Sequence, residues 1–315
     1  MIVEIVEASG GSGCLWLFFV FLFIMWLIGE NPTTFMIILA IILVCAIIRD
    51  IIKDRRDIEP HPIRITINSI ILVFLILCLY VTYAAKDSVD KMKNVYNGDF
   101  SMSNTEVTQG LYISVIGKNP SYNKNSKNPV ENVSWYDAIY FCNKLSQSKG
   151  KTPVYEVNGT ADVNKWDYVP HTGKVLGKVT WNKTADGFRL PTEKEWEYAA
   201  RSGEPDGYNF TYAGSNNLFA VGWYKENSKD ETHPVAKKNG NGKGFYDMTG
   251  NVAEWCWDID SSNTNNRYIR GGSYNSGIGD FRSPNKCDLS YRETYNAADR
   301  YIDLGFRIVG PLLSE

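Results

Sequence analysis

Gly244-Phe245-Tyr246-Asp247-Met248-Thr249-Gly250-Asn251-Val252-Ala253-Glu254-Trp255-Cys256-Trp257-Asp258 is the stretch on which the reading of this chain turns. Two glycines, three acids and two tryptophans in fifteen residues, with Asn251 among them, follow neither a helical nor an alternating period. The stretch therefore predicts a structured loop. Gly250 followed by Asn251 permits positive φ, so the chain can curl and turn several oxygens inward, while Trp255 and Trp257 supply apolar mass to anchor it. Asp247 and Glu254 are hard anionic oxygens, and the carbonyls of Gly250 and Val252 could complete a calcium-like shell. An Asx-type turn, with the carboxylates capping amides, is the plainer alternative.

Outward from this loop the composition divides in two. The 315 residues carry a net charge of -2, a near balance that argues against a nucleic-acid partner. Nearly all long apolar runs precede residue 86, and the remainder is polar and rich in Gly, Asn, Tyr and Trp. Cys14–Gly29 and Thr34–Ile48 are apolar and uncharged but short for a span, whereas Ile65–Ala85 is long enough outright. We read residues 1–13 as a tail, 14–85 as a membrane region of about three transmembrane helices, 86–99 as a linker and 100–315 as one globular domain. A cleaved signal peptide fits poorly, because Met1–Gly13 holds Glu4 and Glu7 but no Lys or Arg. Arg49, Lys53, Arg55, Arg56 and Arg64 lie between the second and third runs, which places that loop in the cytoplasm. The globular domain is then expected outside the membrane, on the periplasmic or extracellular side of a multi-pass protein.

Within the domain, Phe100–Thr108 and Gly110–Val115 look like short strands. Ser134 is an N-cap, and Ala138, Phe141, Cys142 and Leu145 recur at helical spacing behind it. Thr152–Val157 and Lys178–Asn182 read as strands around a variable-looking loop. Thr192 with Glu195 forms a capping box ahead of Trp196, Ala199 and Ala200. Arg270–Ser273 and Gly305–Val309 look like strand ends. Two helices beside many short, irregular strands make an α+β domain.

Several motifs now add up in order: Glu106-Val107-Thr108, Pro129–Trp135, Gly187–Glu193, Gly244–Trp255, Arg270–Ser273 and Gly305-Phe306-Arg307. From Phe100 onward the chain resembles the formylglycine-generating enzymes, or sulfatase-modifying factors. The resemblance implies their irregular C-type-lectin-like fold. It also implies calcium in the loop at Gly244–Trp255, held by the side chains of Asp247 and Glu254 and the carbonyls of Gly250 and Val252.

The catalysts of that family oxidise a sulfatase cysteine with copper(I) held by two cysteines after the Arg-Gly-Gly-Ser motif, and thiolates suit that soft metal. Counted forward from Arg270 those places fall at Ser276 and Phe281, and counted back from Arg292 at Gly279 and Pro284. Neither register gives a cysteine, so no copper is expected and the chain resembles the non-catalytic members. Cys287 is nearby but alone. His61, His171 and His233 are too scattered for a three-histidine iron site, and Cys142 on an apolar helix face reads as a buried free thiol. The preferred reading is a membrane-anchored binding protein whose outer domain takes an envelope protein or glycan. Tyr274, Asn275, Asp280, Phe281 and Arg282 stand where the family's pocket would be and are the candidate contact residues. A formylglycine-generating oxidoreductase is one alternative, and a retroelement-diversified variable protein is the other.

Overall fold

The computed structural model describes residues 92–95, 100–202, 210–277 and 285–311. The expected membrane runs, Asp280, Phe281 and Arg282 lie outside the described residues. The chain divides into two units, Met1–Tyr83 and Ala84–Glu315, and the second holds everything described below. Among the described residues no helix is long and apolar enough to cross a membrane.

Strands β1 (Met92–Val95) and β2 (Phe100–Ser103) pair antiparallel, and β2 also pairs with β9 (Val309–Gly310) near the end of the chain. The first described strand, β1, lies within the expected linker. Helix α1 (Gln109–Ile116) follows, where a strand had been expected. Its β-branched Ile113, Val115 and Ile116 mislead, because the ends decide. Thr108 accepts the Leu111 amide, and Gly117 closes the helix at φ 81°, a left-handed angle that suits glycine.

Helix α2 (Trp135–Ser148) starts at the expected Ser134 cap, completed into a full box by Asp137. It buries Ala138, Phe141, Cys142 and Leu145 as its spacing requires. The β3 (Tyr155–Val157) and β4 (Val179–Trp181) strands form a small hairpin-like pair across the long loop. Helix α3 (Glu193–Ala200) has the Thr192–Glu195 box read from sequence. A single turn, α4 (Leu218–Val221), precedes the loop that opened the sequence reading.

That stretch is loop only as far as Val252. Ala253–Asp260 is β5, an inner strand of the main sheet, whose order is β7 (Glu293–Asn296), β6 (Asn263–Arg270), β5, β8 (Leu304–Gly305). Only the β5–β8 pairing is parallel. Two buried faces let a strand carry Trp255 and Cys256 side by side, so strict polar alternation is lost. Trp135, Trp166, Trp196, Trp255, Phe141 and Phe306 fill the interior between helices and sheet. The indole N–H groups of Trp135 and Trp255 donate to the Cys256 and Val133 carbonyls at 3.0 and 2.9 Å, locking α2 against β5.

Candidate functional site

The loop before β5 folds by left-handed backbone. Asp247 (φ 54°), Gly250 (φ 79°) and Asn251 (φ 59°) reverse the chain three times within five residues. At Gly250 the requirement is also steric, since a Cβ would stand 2.2 Å from the Trp223 carbonyl oxygen. Asn251 then bridges three segments: its Oδ1 accepts the His233 amide at 3.0 Å, and its Nδ2 donates to Glu106 at 3.1 Å and to the His233 carbonyl at 3.2 Å.

The curl brings Asp247 and Glu254 beside Glu106 and Arg307, all four buried. Arg307 grips Glu254 in a two-pronged pair, Nε to Oε2 at 2.6 Å and Nη2 to Oε1 at 2.7 Å. Its remaining donors reach the Ser103 and Tyr246 carbonyls, and Trp196 Nε1 adds a 2.7 Å bond to Glu254 Oε2. Three carboxylates thus share one guanidinium. Burial, then the charges of Asp247 and Glu254, hold Glu106 well above the usual carboxylate range. Burial, together with Glu254, pushes Asp247 up to about 6 against the pull of the Ala236 amide and Arg307.

Whether this set fits calcium turns on which oxygens are free. Asp247 Oδ1 is buried with no partner, whereas both oxygens of Glu254 are committed to Arg307 and Trp196. Among the described residues no three acidic, thiol or imidazole groups converge as a cage. Asp247 fits a cation ligand, and the excess of buried negative charge favours one. Glu254 does not fit as the expected side-chain ligand, because a guanidinium already neutralises it.

On the other side of β5, the Arg-Gly-Gly-Ser segment borders a cavity of about 40 Å³ lined by Ser273, Ser276, Asp303, Lys286 and Glu293. Ser273 Oγ donates to Asp303 Oδ2 at 2.8 Å, and Ser276 Oγ accepts the Ser273 amide at 2.9 Å. Lys286 Nζ is paired with Glu293 at 2.9 Å. Arg270, buried beneath, ties Glu193 and Glu197 of α3 to the sheet at 2.8 and 3.0 Å. Cys287 packs against Gly272 with no exposed surface, and burial pushes its thiol up to about 12, far from a reactive thiolate. Cys142, Cys256 and Cys287 are all free and buried.

The structure corrects one candidate contact residue. Tyr274 is 3% exposed, its backbone bonded to Asn251 and Ser228, and is a support of the loop and not a contact residue. Its place directly after the Arg-Gly-Gly-Ser motif says nothing about which way its ring faces. Asn275 is exposed and accepts from Lys225 at 3.1 Å. Asp303 and Glu131 were missed. Glu131 is buried with Oε2 lacking a partner, and burial pushes it up to about 7 despite the Asn123 amide. A lone acid in a motif of mixed character gives no sequence signal for such an environment.

The profile of the sulfatase-modifying factor enzyme 1-like domain matches residues 74–311. The chain belongs to the sulfatase-modifying factor family. The match reaches back past Phe100 into the last apolar run, further than the motifs alone extend. The chaperone protein LppX of Paenibacillus barcinonensis is 37% identical over 239 residues, 69% of this chain and 82% of that protein. The formylglycine-generating enzyme of Thermomonospora curvata is 40% identical over 96 residues, which span 25% of this chain and 32% of the enzyme. Among solved structures, Treponema denticola variable protein 1 matches with a TM-score of 0.59 and 33% identity, over 70% of this chain and 91% of that one. The fold is the C-type-lectin-like one of this family.

Proposed function

We propose that this sulfatase-modifying factor domain is a non-catalytic binding module, anchored in the membrane by the apolar runs before residue 86 and displayed on its outer side. The observation that carries the reading is the engagement of Ser276, where one register places a copper thiolate: its hydroxyl is held by the Ser273 amide, and the thiol of Cys287, eleven residues on, is buried and protonated. One buried thiol cannot supply the two soft ligands that copper(I) would need. The similarity to a chaperone supports a protein client, and that to a variable protein supports a display scaffold. Calcium held through Asp247 and the carbonyls of Gly250 and Val252 would rigidify the scaffold without entering any reaction.

The chemistry is tested by incubating the protein with copper, oxygen and a sulfatase-type cysteine peptide. The expected mass spectrum is unchanged. Conversion of the cysteine to an aldehyde would restore the oxidoreductase reading. The topology is tested with a reporter fused after Leu313, expected to be active only outside the cytoplasm, as the basic residues between Arg49 and Arg64 require. Activity confined to the cytoplasm would overturn the outward placement.

A further inference from the structure

A second groove, larger than the Arg-Gly-Gly-Ser cavity, lies far in sequence from it and shares no residue with it. It measures about 340 Å³ and runs between the end of α1, the middle of α2 and the long loop that joins β3 to β4. Its walls are apolar: Val115 and Ile116 from α1, the Tyr140 ring from α2, and Val169 with Pro170 from the loop. Val169 is 66% exposed, and Leu176 further along the same loop is 59% exposed, unusual for branched apolar side chains that have a core to join.

The charge lining the groove has one sign; the Asp137 carboxylate behind it accepts the His171 amide at 2.7 Å and is paired with Arg300 at 2.9 Å. Lys118 and Lys144 line the groove, no carboxylate does, and neither lysine has an acidic partner among the described residues. Lys144 reaches only the Asn164 amide oxygen, at 3.4 Å. Asp162, whose charge acts on Tyr140, is already beside Lys165 at 3.8 Å. His171 closes the groove with Nε2 on the Tyr112 hydroxyl at 3.1 Å and Nδ1 buried without a partner, on a backbone held at φ 71°. Burial, with Arg300 and Lys118 adding to it against the pull of the Asp137 carboxylate, holds this imidazole below its usual range.

We propose that this groove receives a short, extended, apolar peptide segment carrying carboxylates, its side chains on the Val115, Tyr140 and Val169 walls and its acids at Lys118 and Lys144. The proposal rests on the reading of the domain as a binding module and adds the place and chemistry of the partner. A groove with Val169 exposed along its wall does not enclose an acyl chain, whereas alternate side chains of an extended peptide need only half-open pockets. Two unpaired ammonium groups beside apolar walls select anionic over cationic segments and speed their encounter.

The test uses the full-length chain in lipid nanodiscs and a fluorescent peptide of alternating leucine and serine that ends in two glutamates and contains no cysteine. Fluorescence anisotropy, with empty nanodiscs subtracted, is expected to show saturable binding. The same peptide ending in two lysines should bind at least tenfold more weakly. Lys118→Glu with Lys144→Glu should weaken the acidic peptide at least tenfold, and Val169→Ser should weaken it as well. Lys118 and Val169 are exposed and Lys144 is partly exposed, so melting midpoints should not move. The proposal falls if the acidic peptide does not bind, if an all-serine version binds as tightly, if the lysine variants bind it undiminished, or if dodecanoate at equal concentration displaces it. Because the probe has no cysteine, its binding is independent of the sulfatase-peptide assay, and either result can fail alone.

Discussion

Glu254→Ala is expected to lower the stability of the domain by about 3 kcal/mol, the lower end of what breaking a buried ion pair costs. The substitution removes the acceptor for two Arg307 nitrogens and for Trp196 Nε1 at once, at bonds of 2.6 to 2.7 Å. It leaves a guanidinium in the interior, partly compensated by Glu106 and Asp247, whose charges act on Arg307 but do not hydrogen-bond it among the described contacts. That residual compensation is why the low end is expected. Glu254→Gln should cost less, since an amide oxygen still accepts from Trp196. With typical domains stable by only about 5–15 kcal/mol, the alanine variant should show a clear drop in urea midpoint at unchanged slope. An alanine variant within about 1 kcal/mol of the parent would show that the pair carries no net stability.

Arg307 and Glu254 also mark how far the sequence could be read. Both sit in motifs visible in the chain, Gly305-Phe306-Arg307 and the loop running into Trp255, yet 53 residues separate them and no local period announces their contact. Local signals served well where the physics is local. The Ser134 and Thr192 caps, with acids three residues on, are satisfied by hydrogen bonds inside one turn and were legible. So was the positive φ at Gly250 and Asn251. Where tertiary packing chooses, reading failed: α1 holds residues of high strand preference between a threonine cap and a glycine stop, and β5 loses its alternation because both its faces are covered. Tyr274 illustrates the same limit at the site, since its burial is a tertiary outcome in a segment whose backbone is bound by Asn251 and Ser228 from distant parts of the chain. The groove beside Lys118 and Lys144 draws on three separated segments, so only its loop, long and variable-looking, was visible beforehand.

Asp247 should give the domain an inverted acid response. Its carboxyl is raised to about 6 in the folded protein, against about 4 in an unfolded chain. Between those values the folded state binds more protons than the unfolded one, so stability is greatest at low pH and falls as pH rises through the window. Two units correspond to roughly 3 kcal/mol at most, and Glu106, also raised, pushes in the same direction. Asp137 and Glu195, which are lowered, contribute slopes of the opposite sign, so the diagnostic quantity is the difference between the parent and Asp247→Asn. In chelator, the asparagine variant should gain on the parent steadily from pH 4.5 to 6.5 and be the more stable of the two at pH 7. At the proposed calcium site the ion would compete with the proton for Oδ1, so adding it should raise the parent's melting temperature most above pH 6, little at pH 4.5, and leave the asparagine variant nearly unmoved. Parallel pH profiles for the two proteins in chelator would mean that Asp247 is not held protonated by burial. A calcium response that survives Asp247→Asn would move the metal away from this loop.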